Sequence, residues 1–213
     1  MQKLVELVLE KFEHDVFTDL DVKILVKGSD NRRYGLVKRA LANGEILRIT
    51  KGIYCLTDKY RRNKLNLYSL AGKVYGPSYV SLESALSYHG WIPEAVYTVT
   101  SVSIKRSKDL FTPVGRLSYS HVPETIFYID VERIRADDES IYLMANPLKA
   151  LADYVYVYRK NWDTIEPVLQ SLRIERSYLR EKTDFMEIET LISNYSSKRV
   201  KNFLEAIKKE ADK

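Results

Sequence analysis

The stretch TDLDVKILVKGSDNRRYGLVKRALANG, residues 18–44, decides how the chain begins. Thr18 followed three residues later by Asp21 makes a capping box: the Thr18 hydroxyl accepts from the Asp21 N–H, and the Asp21 carboxylate reaches back. Phe17 before the cap and Val22 inside it occupy the places of a hydrophobic staple, so the spacing predicts a helix over about 19–26. Lys27-Gly28 ends it, because glycine tolerates the positive φ of a helix terminus. Ser29 or Asp30 caps a further helix that runs to Asn43 and stops at Gly44. At about 100° per residue, Tyr34, Val37 and Leu41 cluster on one side of this helix, with Arg32, Arg39 and Asn43 almost opposite. The apolar side is expected in the core and the basic side in solvent. Leu36 falls near the polar side, which suits it only to a thymine methyl or a sugar edge.

Working outward, Leu4, Val5, Val8, Leu9 and Phe12 recur at helical spacing and predict a first helix over 2–13. On the other flank, Glu45-Ile-Leu-Arg-Ile, a turn at Thr50-Lys51-Gly52 and Ile53-Tyr54-Cys55-Leu56 read as a hairpin. Three helices and a hairpin within sixty residues is the order of a winged helix-turn-helix, which places its third helix in the major groove of duplex DNA and its hairpin tip over the backbone. The reading is therefore α+β in two domains: residues 1–60 a winged helix-turn-helix that binds DNA, and residues 61–213 an α+β domain.

Charge points the same way. Residues 29–64 hold ten Lys/Arg against three acids, a local balance of +7 in a chain of net charge +5. Cations that neutralise phosphates release condensed counterions, so such a segment is the footprint of nucleic-acid binding. Arg32, Arg33, Lys38 and Arg39 are the candidate contacts on the third helix. Of these, Arg32 and Arg39 are best placed to read guanine edges, while Arg33 and Lys38 suit phosphate. Arg48 and Lys51 flank the hairpin tip, where a wing meets sugar-phosphate; Arg61, Arg62 and Lys64 extend the basic run. A solvated charged face is the plain alternative for each.

The 213-residue chain is 45% hydrophobic and 30% charged, the composition of an ordinary globular protein. No window approaches the ~18 apolar residues of a membrane span, and the acids within MQKLVELVLEKFEHD do not suit a signal peptide, so a cytoplasmic location is expected. One cysteine, Cys55, and three scattered histidines supply neither a disulfide nor metal-ligand spacing; no metal or cofactor is expected.

Past Asp58 the pattern predicts a helix over 62–76, a short helix over 81–90 capped by Ser81, and about four strands between 97 and 143. These strands form a small, mostly antiparallel sheet. Helices follow near 147–160, 163–171, 184–195 and 197–210.

Arg48-Ile-Thr-Lys-Gly-Ile-Tyr, Ser78-Tyr-Val-Ser-Leu-Glu-Ser-Ala-Leu-Ser-Tyr-His-Gly-Trp-Ile-Pro-Glu, Gly115-Arg-Leu-Ser-Tyr and Pro147-Leu-Lys-Ala-Leu-Ala-Asp-Tyr, in that order, resemble the AbiEi family of antitoxins from abortive-infection operons. The resemblance implies a winged helix that represses its own promoter by binding repeats in double-stranded DNA. It also implies a second domain that counteracts a nucleotidyltransferase-type toxin without a stable complex, the type IV arrangement. A plain winged-helix regulator and a protein-interaction module are the alternative readings.

Three further groups bear on chemistry. Ser81, Glu83 and His89 lie close in sequence, but as N-cap, first-turn acid and helix exit they need no nucleophile. Lys105, Arg106, Lys108 and Arg116 make a possible second basic patch, or a charged guard on an edge strand. Asp130 and Glu132, two apart on an expected strand, share a face as metal-binding carboxylates do in nucleases and nucleotidyltransferases, though no partner motif accompanies them. No catalytic residue is assigned.

Overall fold

The capping box at Thr18 is formed in the computed structural model, which describes residues 2–213: the Thr18 N–H donates to Asp21 Oδ2 at 2.7 Å and the Asp21 N–H to Thr18 Oγ1 at 3.2 Å. Around it the chain runs α1 (Lys3–Lys11), β1 (Val16–Thr18), α2 (Asp19–Leu25), α3 (Asp30–Ala42), β2 (Ile46–Thr50) and β3 (Ile53–Leu56). The three strands form an antiparallel sheet in the order β1-β3-β2. Phe17 and Val22 are both buried, as a staple requires, beside Leu4, Val5 and Val8 of α1. The cap of α3 is Ser29, which accepts from the Arg32 N–H, and Gly44 leaves the helix at φ 64°.

The face that α3 buries differs from the expectation. Leu36, Val37 and Ala40 are in the core, whereas Tyr34 is 66% exposed. Arg33 explains the rotation. Its guanidinium is packed inward and donates to the carbonyls of Val26 (3.1 Å) and Gly28 (2.5 Å) at the end of α2, and to Asp30 Oδ1 (2.6 Å). With Arg33 turned inward, Leu36 and Ala40, three and seven positions on, follow it into the core.

Residues 62–66 are not helical. The Arg62 and Asn63 N–H groups donate to the Asp15 carboxylate, and Asn66 caps a shorter helix, α4 (Leu67–Val74). Then come β4 (Ser78–Val80), α5 (Leu82–Tyr88), β5 (Thr98–Ser103), β6 (Lys108–Thr112), β7 (Gly115–His121), β8 (Val131–Arg135) and β9 (Ile141–Ala145). These strands build a six-stranded sheet in the order β6-β7-β5-β4-β9-β8. It is larger than expected and mixed: β5 pairs parallel with β7 and β4 with β9, and the other pairs are antiparallel. One of the strands expected between 97 and 143, over residues 125–131, is instead a 3-10 turn at Glu124–Ile126 that leads through Asp130, at φ 50°, into β8. The chain closes with α6 (Pro147–Val157), α7 (Glu166–Leu172), α8 (Arg176–Glu181), α9 (Phe185–Asn194) and α10 (Lys198–Ala211). Among the described residues no helix is long and apolar enough to cross a membrane.

Helix α4 lies on one face of the large sheet, where the Tyr119 hydroxyl donates to the Ala71 carbonyl, and α5 and α6 lie on the other. At the centre of that second face sits a buried ionic network. Lys149 and Asp153, one turn apart on α6, are fully buried and paired at 2.8 Å. Asp153 Oδ1 also accepts from the Tyr195 hydroxyl (2.6 Å), and Oδ2 accepts from Tyr79 and Ser81 (2.8 Å each). Lys149 Nζ further donates to Tyr195 Oη and stands over the Tyr195 ring, 4.8 Å from its centroid. Burial, and then the Asp153 carboxylate, push both phenols well above their ordinary pKa, so they remain donors.

Removing one member of a buried pair strands the other charge. Asp153→Ala is therefore expected to lower the unfolding free energy by about 3–5 kcal/mol in urea titrations, and Tyr195→Phe by about 1–3 kcal/mol. A loss no larger than that of Asp212→Ala, an exposed site at the end of α10, would contradict the assignment.

Candidate nucleic-acid interface

The outer face of α3 follows from the face it buries. Asn31, Gly35, Lys38 and Ala42 lie at its centre, Tyr34 on one flank, and Arg32 and Arg39 on the other. Lys38 is thus more central than Arg32 or Arg39, the reverse of the sequence expectation. Arg32, Lys38 and Arg39 are exposed, and no carboxylate pairs with them among the described residues. The two arginines lean on glycines: Arg39 Nη1 would lie 3.5 Å from a Cβ at Gly35, and the Arg32 side chain 3.4 Å from one at Gly28. Small residues along the middle of the face leave room for the guanidiniums to lie across it. Arg33 belongs to another class, its donors being spent on α2 and Asp30.

The hairpin tip is tied to the start of α2. The Asp19 N–H donates to the Gly52 carbonyl at 3.0 Å, and the Asp19 carboxylate accepts from the Tyr54 hydroxyl at 3.0 Å. Burial, followed by this bond to Asp19, raises the Tyr54 pKa. Gly52 has φ 78°, and a Cβ there would stand 3.0 Å from Asp19 Oδ2. Arg48, directly opposite Tyr54 in the β2–β3 register, lies over its ring at 5.8 Å. Arg48 and Lys51 are exposed on this braced hairpin, while Arg61 and Arg62 are engaged within the fold: Arg61 with Asp58 and the Cys55 sulfur, Arg62 with Asp15 and the Leu9 carbonyl.

The hairpin also rests on the second unit. Ile49 and Cys55 are buried with Leu70 of α4, and Val114, in the β6–β7 turn, packs against the same cluster. The expected second basic patch is divided between the faces of the β6–β7 hairpin. Lys105 and Lys108 stand over the Tyr75 ring on the α4 side, next to Arg106, whose carbonyl accepts from Tyr75. Arg116 lies on the other side, paired with Asp109 at 3.3 Å and stacked over Phe111.

The remaining candidates do not converge. Ser81 does not cap α5; its hydroxyl goes to Asp153, and Thr100 Oγ1 accepts from the Ser84 N–H in its place. Glu83 accepts from the Tyr158 hydroxyl, and His89 Nε2 meets the Ala145 carbonyl. Asp130 precedes β8 in the left-handed region at φ 50°, so it does not share a strand face with Glu132. Its charge acts on Glu187 instead, a proximity that no sequence spacing signals. Burial and then the charges of Asp130, Asp184 and Glu132 raise the Glu187 pKa to about 7, and burial raises that of Asp130. No group of three His, Cys, Asp or Glu among the described residues is placed to hold a metal ion.

No family model matches the chain, and no curated protein matches it.

Two outcomes follow from this geometry. Arg33→Ala is expected to cost about 1–3 kcal/mol of stability, because it leaves carbonyls of α2 and Asp30 without their donor, while Arg39→Ala stays within about 0.5 kcal/mol. Equal losses in thermal unfolding would contradict the division of roles. Glu187 binds its proton more tightly folded than unfolded, where 4.5 is its ordinary value, so its contribution is intact below pH 4.5 and is lost as pH rises through about 7. Glu187→Gln should accordingly raise the urea midpoint over wild type at pH 8 and leave it unchanged at pH 4; a gain of the same size at both pH values would refute this.

Proposed function

We propose that residues 3–56 form a winged helix that binds duplex DNA, and that the protein is a transcriptional regulator acting on its own promoter. The element order α1-β1-α2-α3-β2-β3 supports this reading. The observation that carries it is the set of exposed, unpaired cations Arg32, Lys38 and Arg39 on one helix face, with Arg48 and Lys51 on a hairpin held by Asp19. Unpaired guanidiniums on a small-residue face suit guanine edges, and cations on a rigid hairpin tip suit the phosphate backbone.

The segments similar to AbiEi antitoxins extend the proposal. On that reading the α3 face recognises promoter repeats, and the second unit counteracts a nucleotidyltransferase-type toxin in the cytoplasm without forming a stable complex, with no cofactor and no catalysis of its own. A second reading rests on Leu20 and Ile24 of α2 and Tyr34 of α3, all about two-thirds exposed: this surface docks a protein.

Binding to the protein's own promoter, measured across salt concentrations, separates the two. DNA binding predicts that log K falls linearly with log salt, and that each of Lys38→Ala, Arg48→Ala and Lys51→Ala lowers the slope by about 0.9 for every phosphate it leaves without a cation. Arg39→Ala is expected to cost about 1–3 kcal/mol and to narrow the gap between promoter and random DNA. Retention of neither duplex in a gel shift would leave the docking reading.

A further inference from the structure

At the end of the β6–β7 hairpin opposite Val114, a groove of about 630 Å³ opens between β7, the end of α6 and the start of α10. Its walls carry Arg159, Arg199, His121, Ser107, Ser120 and Tyr158. Neither arginine is paired with a carboxylate among the described residues. The acids of the neighbourhood are engaged elsewhere: Glu83 with the Tyr158 hydroxyl, Asp109 with Arg116, and Asp163 with Asn202, one turn along α10 from Arg199.

Arg199 Nε is buried and has no hydrogen-bond partner. Such a group carries an unmet desolvation cost unless something outside the chain satisfies it, and it is rare enough to need a cause. Arg159 follows the end of α6 at φ 53°, a left-handed conformation that few non-glycine residues adopt, and its side chain lines the same groove. His121 is oriented too. Its backbone N–H donates to Ser107 Oγ at 2.9 Å, and its ring Nδ1 donates to the Lys105 carbonyl at 3.2 Å, which leaves Nε2 as an acceptor for another partner. Ser120 adds a hydroxyl, and Ser197 makes no side-chain bond to the first turn of α10, so the positive end of that helix is uncapped.

Two guanidiniums without counter-charge, one with an orphaned Nε–H, together with an imidazole and a hydroxyl, match a tetrahedral oxyanion. We propose that this groove binds a phosphate group, as inorganic phosphate or as the monophosphate of a nucleotide, with Arg199 and Arg159 as its principal ligands, Ser120 as a secondary donor and His121 Nε2 as an acceptor for a protonated phosphate oxygen. The site is separate from the α3 face and does not depend on the DNA-binding reading.

Titration calorimetry of the full chain with sodium phosphate and with adenosine monophosphate, in a chloride buffer of constant ionic strength, tests it. Binding is expected for at least one of the two, weakened roughly 10–100-fold in Arg199→Ala and Arg159→Ala and unchanged in Arg39→Ala. A monophosphate that binds ten-fold tighter than phosphate identifies a nucleotide as the source, and equal affinities identify free phosphate. The imidazole ¹⁵N signals of wild type give a second readout, in which only His121 of the three histidines shifts on addition of ligand. That readout decides the matter if Arg199→Ala fails to fold. Absence of binding up to about 20 mM, roughly the weakest affinity a specific ion site shows, would overturn the proposal. So would binding that both arginine variants retain, or binding lost in Arg39→Ala.

Discussion

The carboxylate of Asp153 is the point on which the large unit depends. It is fully buried and accepts hydrogen bonds from β4, the turn after it, α6 and the end of α9. A bare carboxylate at that depth would be prohibitive; the lysine one turn away and three hydroxyls make it tolerable only in one arrangement of those four segments. β4 is three residues long, too short to define its place by ladder bonds, and Tyr79 and Ser81 fix it against α6. Tyr79 and Ser81 from residues 78–94 and Lys149 and Asp153 from residues 147–154 meet at this junction in the core.

The small unit is placed by apolar contact. Ile49 and Cys55 on the inner side of the β2–β3 hairpin bury against Leu70 and Val114, so the hairpin is held from below by the large unit and from its tip by Asp19. A hairpin fixed at both places offers Arg48 and Lys51 at a set distance from α3. Pre-ordering of this kind lowers the entropy lost when a partner binds, which is what the proposed wing of a DNA-binding unit requires.

Local signals are legible wherever backbone chemistry dictates structure. The box at Thr18 and Asp21, the cap at Ser29 and the glycine exit at Gly44 stand where the spacing places them, whereas α2 already ends at an extended Val26 and Gly28, at φ 115°, lies in the turn to α3. What fails is counting tyrosine as core and arginine as surface: Tyr34 is exposed and Arg33 is inside, because a guanidinium that meets three oxygens is better buried than a phenol that meets none. β6 is invisible in the sequence because an edge strand carrying Lys108, Asp109 and an exposed Phe111 has no apolar alternation. The buried network, the Glu187 cluster and the groove at Arg199 join residues dozens of positions apart, and no local pattern reports them. The candidate cations themselves are readable from charge alone; which of them are free is not.

Duplex DNA bound by the outer face of α3 and the β2–β3 turn is the proposal on which the regulatory reading rests. Amide chemical-shift mapping of the full chain during titration with a promoter duplex tests it most directly. Perturbations are expected to concentrate at residues 31–42 and 48–52, with Arg33 the least affected arginine of α3. Perturbations absent there, or confined to α2 around Leu20 and Ile24 or to the groove at Arg159 and Arg199, would contradict it.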